Sequence, residues 1–155
     1  MNPVAERQRE IGLGSRYAIL CRVIAAWQAK DSEAVLSHMA DDIVWHFAAA
    51  AAPPVRGKEA ARRLLARLGA DMHDITWRIF AHAETEDRLF VEGVDDYRTT
   101  DGRRVAAPYA GVLDFQGDLI IGWRDYVDVG VIERQKAGEP MSAQVVSLLD
   151  RAPAA

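Results

Sequence analysis

Two aspartates in strand-like segments carry the strongest signs of chemistry in this sequence. Residues 122–128 read GWRDYVD, and in an extended strand successive side chains point to opposite faces. Trp123, Asp125 and Val127 therefore share one face. An ionised carboxylate among apolar side chains is costly unless it is paired or functional, so we predict that this face lines an active site.

A second carboxylate follows the same pattern. In VEGVDDYR (91–98), Asp95 and Tyr97 share a face, and Tyr109 falls on the corresponding face of the next strand. Two desolvated carboxylates repel each other, which raises at least one pKa, as a general acid or base requires. We predict Asp95 and Asp125 as the proton-transfer pair, with Tyr97 and Tyr109 orienting substrate oxygens.

A blander interpretation of these residues stays open. A carboxylate in a strand often faces solvent or pairs with an arginine, and a tyrosine is often a core residue with its hydroxyl at the sheet edge. A register shift of one residue would also reverse every face assigned above.

Aromatic side chains are predicted to wall the pocket, which is the usual form of a small-molecule site. His46 lies in the same short strand as two of them. One residue of slippage would turn it inward, so we include it as a third group that orients the substrate, with an edge histidine as the alternative. The predicted substrate-binding residues are Trp45, Phe47, Trp77, Trp123 and Val127.

The length and composition favour one domain of ordinary size. The chain has 155 residues, of which half are hydrophobic, enough for a core of its own. We predict one domain over residues 1–155, with flexible ends at 1–12 and 150–155. The net charge of −4 and the absence of basic clusters argue against nucleic acid as a partner.

Other site classes find no support in the sequence. The four histidines and the single cysteine lack the spacing of metal ligands, and we find no phosphate loop or nucleophile elbow. We therefore predict neither a metal nor another cofactor. No apolar run has the length of a membrane span. A lone cysteine, interpreted as a small buried residue, and the lack of a secretory signal predict a cytoplasmic protein.

The elements that position these residues are helices first and a sheet afterwards. Apolar spacing predicts helices over 15–30 and 58–68, with Gly69 as a stop, and a short helix after Asp31. A strand at 42–47 and a loop at 48–57 lie between them. Strands separated by turns follow from Ile75 to about Val129, with a hairpin at Asp101 and Gly102. The order predicts an α+β fold, and a helix at 141–149 would close its open end.

These segments also resemble a known family. GWRDYVDV, preceded by GVLDFQGDLI and FVEGVDDYR, resembles the C-terminal half of limonene-1,2-epoxide hydrolase, in the SnoaL-like group of the NTF2-like superfamily. ADDIVWHF and PPVRGKEA resemble the family's strand, proline pair and third helix, so the similarity spans about residues 15–130. It implies a cone of curved, mixed or antiparallel sheet wrapped by three N-terminal helices, a deep apolar pocket and a homodimer.

The resemblance covers only part of the family's catalytic set. In those hydrolases an Asp-Arg-Asp set activates water and protonates the epoxide, while a Tyr and an Asn hold the water. Asp95 and Asp125 match the two aspartates, and Trp123 matches a pocket tryptophan. Gly93 stands where the family has arginine. The Tyr and Asn positions hold Trp45 and Phe47, or Phe47 and Ala49 with another gap placement. The resemblance thus implies an acid/base pocket enlarged at Gly93.

Three functions remain as hypotheses. Relatives of this fold include ketosteroid isomerase, polyketide cyclases and a lyase that removes formaldehyde from lignin-derived diarylpropanes. We therefore expect a cofactor-independent lyase or isomerase that acts on a hydrophobic, hydroxylated aromatic molecule such as a diarylpropane. One alternative is an epoxide hydrolase in which Arg78 replaces the missing arginine. The other is a non-catalytic module for small-molecule binding or dimerisation.

The opposite face of the last strand predicts the assembly. If Trp123 and Asp125 face the pocket, Arg124 and Tyr126 emerge on the other side, beside Val112, Asp114 and Asp96 of the neighbouring strands. Such a mixture suits a two-fold interface, so we predict a homodimer through this face. In this scheme Asp96 is a solvated or dimer-contact charge.

Overall fold

The computed structural model describes residues 15–154, so the predicted flexible segment 1–12 lies outside the described residues. Within these residues three helices precede the main part of the sheet: α1 (Arg16–Gln28), α2 (Ser32–Ser37) and α3 (Lys58–Asp71). Ser15 caps α1 through a hydrogen bond that its side chain accepts from the Ala18 backbone N–H. Asp31 caps α2 in the same way. The three predicted N-terminal helices are therefore present.

Gly69 does not stop the third helix, contrary to the prediction. α3 continues to Asp71, and a Cβ at Gly69 would lie 3.4 Å from the Trp27 ring. The glycine lets the indole of α1 pack closely against α3. Helix packing here outweighs the weak helical propensity of glycine, which costs about 1 kcal/mol relative to alanine.

Six strands form one mixed sheet in the order β2-β1-β6-β5-β4-β3. β1 pairs with β6 in parallel, and the other neighbours are antiparallel. This is the predicted α+β architecture. Irregular register in three of the pairings provides the local bends that curve a sheet. The strands are β1 (Met39–His46), β2 (Val55–Arg56), β3 (Arg78–Glu84), β4 (Arg88–Arg98), β5 (Arg104–Gln116) and β6 (Leu119–Val127).

The main core lies between the three helices and one face of the sheet. Burial along β4 and β5 alternates over much of their length, as expected for strands with one face toward a core. Ile19, Leu20 and Val23 of α1 pack here with Leu113 and Ile120 of the sheet. We call this the concave face and the other the convex face.

A helix that the sequence analysis missed follows the last strand. α4 (Val129–Lys136) starts at the capping residue Asp128, and its one buried residue, Gln135, is polar. The Gln135 amide accepts a hydrogen bond from the Ala106 N–H (2.7 Å) and donates one to the Ala106 carbonyl (2.9 Å). Ala106 lies beyond the part of β5 that pairs with β6. A side chain thus replaces the missing strand.

The predicted C-terminal helix lies in a different place from the one expected. α5 (Ala143–Leu149) packs on the convex face, where Val145 and Leu149 contact Phe80, Val94 and Ala106. It does not close the open end of the fold; α4 does so. The segment 150–154, expected to be flexible, makes contacts of its own: the Ala154 N–H donates to the carbonyl of Ile79 at 2.7 Å.

The convex face also holds an ion pair around a buried aspartate. Asp96 accepts two hydrogen bonds from Arg104, at 2.9 and 2.7 Å, and Arg78 approaches it to 3.8 Å. Asp96 is 9% exposed, so the solvated charge that we expected is wrong. Cys21 is exposed rather than buried, because it lies on the outer side of α1. None of the described helices has the length and hydropathy to cross a membrane.

Candidate active site

A cavity of about 270 Å³ opens between the concave face and the helices. All four tryptophans of the chain line it. The only carboxylates on its wall among the described residues are Asp95 and Asp125, and the only cation there is Lys136. The cavity is therefore an aromatic chamber with few polar groups, which suits a flat apolar ligand.

The structure brings together nearly every residue that the sequence analysis assigned to the site. The two-residue period of β4, β5 and β6 directs the assigned side chains of these strands to one face. β1 pairs with β6 in parallel, so that Trp45 lies next to Trp123. Their roles in chemistry stay predictions. The assigned residues that line the cavity are Asp95, Asp125, Tyr97, Tyr109, Trp45, Phe47, Trp77, Trp123 and Val127.

His46 is the exception: it does not line the cavity, so its prediction as a catalytic residue is wrong. The end of the strand alternates from Ile43 onward, so Trp45 faces the cavity and His46 faces the convex side, opposite Arg124 in register. There it lines a separate shallow depression with Arg88 and Asp114. Arg78 likewise lies on the convex side with Asp96.

Asp125 is held in its place by its own strand. Trp123, two residues earlier on the same face, donates a hydrogen bond from Nε1 to Oδ1 at 2.8 Å. Burial raises the pKa of Asp125 to about 8, and the charge of Asp95 raises it further, against the opposing effect of the Trp123 hydrogen bond. A carboxyl with such a pKa is mostly protonated at neutral pH and can donate a proton.

Asp95 lies in the same chamber with a smaller shift. Burial raises its pKa to about 6. Its side chain is enclosed by protein but is still reached from the cavity, which explains its intermediate exposure. At neutral pH Asp95 is mostly ionised while Asp125 is mostly protonated. The site thus presents one base and one acid, although protons in such a coupled pair belong to the pair as a whole.

Tyr109 fills the space that the sequence analysis assigned to an enlarged pocket. A Cβ at Gly93 would lie 3.3 Å from Cε1 of Tyr109, and one at Gly111 would lie 3.2 Å from Cε2. The ring therefore lies across both glycines. Gly93 does not line the cavity, so the expected enlargement at this position is wrong: the volume left by the family's arginine holds a tyrosine ring.

The hydroxyl of Tyr109 is free to donate its own proton. It accepts a hydrogen bond of 2.6 Å from Nε1 of Trp77, which uses the oxygen as an acceptor. Burial, followed by the charges of Asp125 and Asp95, raises the pKa of Tyr109 well above its usual value. The group is therefore a neutral phenol at physiological pH, and its O–H can bind an oxygen in the chamber.

Three tryptophans form a stack along one wall. The Trp45 and Trp123 ring centroids are 5.4 Å apart, and those of Trp123 and Trp77 are 5.9 Å apart, with interplanar angles of 28° and 29°. Offset stacking of this kind stabilises aromatic clusters by about 1 kcal/mol per pair. The three rings give this wall aromatic faces of the kind on which a planar ligand stacks.

Lys136 is a cavity residue that the sequence analysis missed. Its ammonium group lies 5.9 Å from the Tyr97 ring centroid and 3.1 Å from Oδ2 of Asp71 at the end of α3. Lys136 is at the end of α4, so its detection required the helix to be found first. The helices contribute most of the other missed lining residues, whose apolar periodicity alone does not separate cavity wall from core: Val23, Trp27, Val35, Leu65, Leu68, Val129 and Ile132, with Met72 directly after α3.

Metal ligands are not grouped in the part of the chain that the structure describes, residues 15–154: no three His, Cys, Asp or Glu side chains come together there. The cavity wall has two carboxylates and no histidine. Its described lining has one cation, Lys136, and so no cluster of cations for a phosphate-bearing cofactor.

Comparison with solved structures shows the same fold in several proteins. A hypothetical protein with a ketosteroid isomerase-like fold from Catenulispora acidiphila, solved with trimethylamine, is 23% identical, with a TM-score of 0.69 over 79% of this chain and 94% of that one. An LEH-like epoxide hydrolase of M. tuberculosis is 20% identical, with a TM-score of 0.67 over 86% and 93%.

An NTF2-like protein of unknown function from Burkholderia pseudomallei K96243 is also similar. It is 15% identical, with a TM-score of 0.68 over 77% of this chain and 95% of that one. No curated protein matches the sequence. At the level of families, the SnoaL-like domain matches residues 21–123, which is well over half of the chain and includes Asp95 and Trp123. Its fold is that of the ketosteroid isomerase-like and NTF2-like proteins above, and the chain belongs to the SnoaL-like family.

Proposed function

We propose that this protein is a cofactor-independent acid/base enzyme, a lyase or isomerase, that acts on a hydrophobic, hydroxylated aromatic molecule. The observation that carries the proposal is the pair of carboxyls in one apolar chamber, with pKa values raised to about 6 and about 8. Values on either side of neutrality let Asp95 accept a proton while Asp125 supplies one. This division of roles is the usual sign of an acid/base pair.

Two features support an aromatic, oxygenated substrate. The wall made by Trp45, Trp123 and Trp77 offers flat stacking surfaces. The Tyr109 hydroxyl and the Asp125 carboxyl offer donors for substrate oxygens, and Tyr97 lies beside Lys136 on the cavity wall. Phe47 and Val127 complete the apolar surround.

A diarylpropane illustrates the reaction in balanced form. In a 1,2-diarylpropane-1,3-diol, Asp95 takes the proton of the C3 hydroxyl, the C2–C3 bond breaks, and C3 leaves as formaldehyde. The electrons of that bond form the C1=C2 double bond while the C1 hydroxyl leaves with the proton of Asp125 as water. The products are a stilbene, formaldehyde and water. Transfer of one proton from Asp95 to Asp125 then restores the starting state.

Epoxide hydrolysis is less well supported. Among the described residues no arginine lines the chamber, and Arg78, our substitute for the missing arginine, faces the convex side with Asp96. The positions that hold water in the family are Trp45 and Phe47 or Ala49 here. A non-catalytic binding module would not require two carboxyls of strongly raised pKa in an apolar chamber, because their burial costs stability.

The assembly that we propose is a homodimer through the convex face, and the proposed location is the cytoplasm. Phe90 and Tyr126 are 42% and 52% exposed on that face. Arg124 and Asp114 lie beside them as an ion pair, so the surface mixes aromatic and charged groups as interfaces do.

Substitution of each carboxyl tests the proposed function. Native mass spectrometry against a lignin-derived diarylpropane set identifies a ligand, and stilbene absorbance together with formaldehyde release measures turnover. Asp95→Asn and Asp125→Asn are each expected to lower kcat about 10²- to 10⁴-fold. The matched control is Asp118→Asn, an exposed aspartate in the β5–β6 turn, which should retain wild-type turnover. Wild-type turnover in both site variants would refute the assignment, and tight binding without any product would favour the binding module.

A further inference from the structure

Trp45 has a buried polar atom with no partner. Its side chain is 6% exposed and lines the cavity, yet Nε1 makes no hydrogen bond with any described residue. An unpaired buried donor costs free energy, and native proteins keep few of them. The side chain that carries this donor lines the cavity, so a ligand oxygen is the partner that the protein itself does not supply.

The other two indoles of the aromatic wall already have partners. Trp123 donates to Asp125, and Trp77 donates to the Tyr109 hydroxyl. Trp45 stacks on Trp123 at 5.4 Å between ring centroids. Within this wall, Trp45 therefore has the free donor.

The free donor lies beside the acid of the site. Trp45 is aligned with Trp123 across β1 and β6 and stacks on its ring, and Trp123 in turn donates to Asp125, while Nε1 of Trp45 makes no hydrogen bond of its own. Oδ1 of Asp125 already accepts the hydrogen bond from Trp123. The N–H of Trp45 and the remaining side of the Asp125 carboxyl are thus neighbours on the same cavity wall.

We propose that the indole N–H of Trp45 and the carboxyl of Asp125 bind one and the same oxygen of the substrate. The inference rests on the proposed function, because it uses Asp125 as a proton donor. It narrows the substrate class to aromatic molecules that carry a hydroxyl or carbonyl oxygen at this end of the chamber, as the C1 hydroxyl of the diarylpropane would be. Two fixed donors in a water-poor site stabilise negative charge that develops on such an oxygen.

Equilibrium binding of two matched probes tests this inference without any turnover. The probes are 2-naphthol and naphthalene, which share the two-ring frame and differ in one hydroxyl. The measured quantity is the ratio of their dissociation constants, by titration calorimetry at pH 7. Trp45→Phe keeps an aromatic ring but removes the N–H, so it is expected to lower the preference for 2-naphthol about 5- to 10-fold.

Trp27→Phe is the matched control. Trp27 lines the same cavity but packs on Gly69 of α3, so its replacement changes affinity for both probes alike and leaves the ratio at its wild-type value. An unchanged ratio in Trp45→Phe would overturn the inference. Equal losses of the ratio in both variants would overturn it as well, because the effect would not be specific to the Trp45 donor.

A measurement on the wild-type protein guards against a variant that does not fold. The indole ¹H–¹⁵N resonance of Trp45 is expected to move downfield with 2-naphthol and to stay nearly in place with naphthalene. Equal shifts with both probes would contradict the inference. Neither probe reacts, so failure here leaves the roles of Asp95 and Asp125 in turnover intact, and failure of the turnover test is seen separately.

Discussion

Nε1 of Trp123 lies 2.8 Å from Oδ1 of Asp125, so a residue and its second neighbour on one strand form the central hydrogen bond of the site. The pleat of β6 puts both side chains on the same face. The Trp123 indole stacks between the rings of Trp45 and Trp77. Its hydrogen bond then orients the Asp125 carboxyl.

Removal of this hydrogen bond should shift the titration of the acid. The bond lowers the pKa of Asp125 against the effect of burial, so Trp123→Phe should raise that pKa above about 8. We expect the alkaline limb of the rate profile to move up by as much as about one pH unit and kcat to fall about tenfold. An alkaline limb that stays in place, or moves to lower pH, would contradict the role of Trp123.

The pH dependence of the wild-type rate should be bell-shaped. Activity requires Asp95 ionised and Asp125 protonated. With pKa values of about 6 and about 8, kcat/KM rises with pH through about 6, is highest near 7 and falls through about 8. Initial rates between pH 4.5 and 9.5 measure it. A profile that is flat from pH 5 to 9 would exclude this pair of roles.

The same carboxyls should make the protein less stable at high pH. The folded-state pKa of Asp125 is raised to about 8 from its ordinary value of 3.8. The contribution of this carboxyl to the free energy of unfolding is therefore fully present below about pH 4 and is lost as pH rises to about 8. Each pKa unit corresponds to about 1.4 kcal/mol. Asp125→Asn should therefore be more stable than the wild type at pH 9, by up to several kcal/mol.

Urea denaturation at pH 5 and pH 9 measures this difference. At pH 5 the two free energies of unfolding should differ much less. Asp118→Asn serves as the control, because the exposed Asp118 side chain should give the same difference from the wild type at both pH values. Parallel pH curves for the wild type and Asp125→Asn would show that Asp125 has no raised pKa.

Gly93 should not accept a side chain. A Cβ there would lie 2.5 Å from the backbone oxygen of Arg78, in addition to its contact with Tyr109. Gly93→Ala is expected to lower the free energy of unfolding by about 2–3 kcal/mol through overpacking. Gly93→Arg should not produce epoxide hydrolysis, since the arginine has no room. Diol formation from a styrene-type epoxide by that variant would contradict this account.

Gly69 provides the matched control for Gly93. A Cβ at Gly69 would meet the Trp27 ring at 3.4 Å, an ordinary contact, and alanine favours a helix by about 1 kcal/mol. Gly69→Ala should therefore be neutral or slightly stabilising. Thermal unfolding of both variants by circular dichroism measures the contrast.

Tyr126→Glu should weaken the proposed dimer. Tyr126 is exposed on the convex face, and a glutamate buried at a two-fold contact would carry an unpaired charge. Sedimentation velocity at micromolar concentration should show a dimer for the wild type and a monomer for the variant. Leu119→Glu, an exposed position at the β5–β6 turn, should remain dimeric. A wild-type monomer would remove the interface.

The sequence predicts the site well where one local rule decides. The two-residue period of strands directs Asp95, Tyr97, Tyr109, Trp123 and Asp125 to one side, and no distant contact alters that period. The assignment failed at His46, because the strand has no slip at that position. The two-residue period alone would have placed His46 on the convex side, and only the assumed slip of one residue turned it toward the cavity.

The remaining differences depend on contacts between elements distant in sequence. Gly69 looks like a helix stop until Trp27 is packed on it. Gly93 looks like an open space until Tyr109 of the next strand fills it. Asp96 looks solvated until Arg104 lies beside it. α4 was missed because its one buried residue is Gln135, which gives no apolar stripe to detect.

The pair of hydrogen bonds between Gln135 and Ala106 makes the Ala106 amide sensitive to whether α4, the roof of the chamber, is in place. Val129, Ile132 and Lys136 of α4 line the cavity, and the same helix holds the Ala106 amide through Gln135. When α4 moves away, that amide loses the acceptor that it has among residues 15–154 and exchanges its proton with water. The exchange rate of one backbone hydrogen therefore records how often the chamber opens, and a bound ligand that closes the roof will slow it.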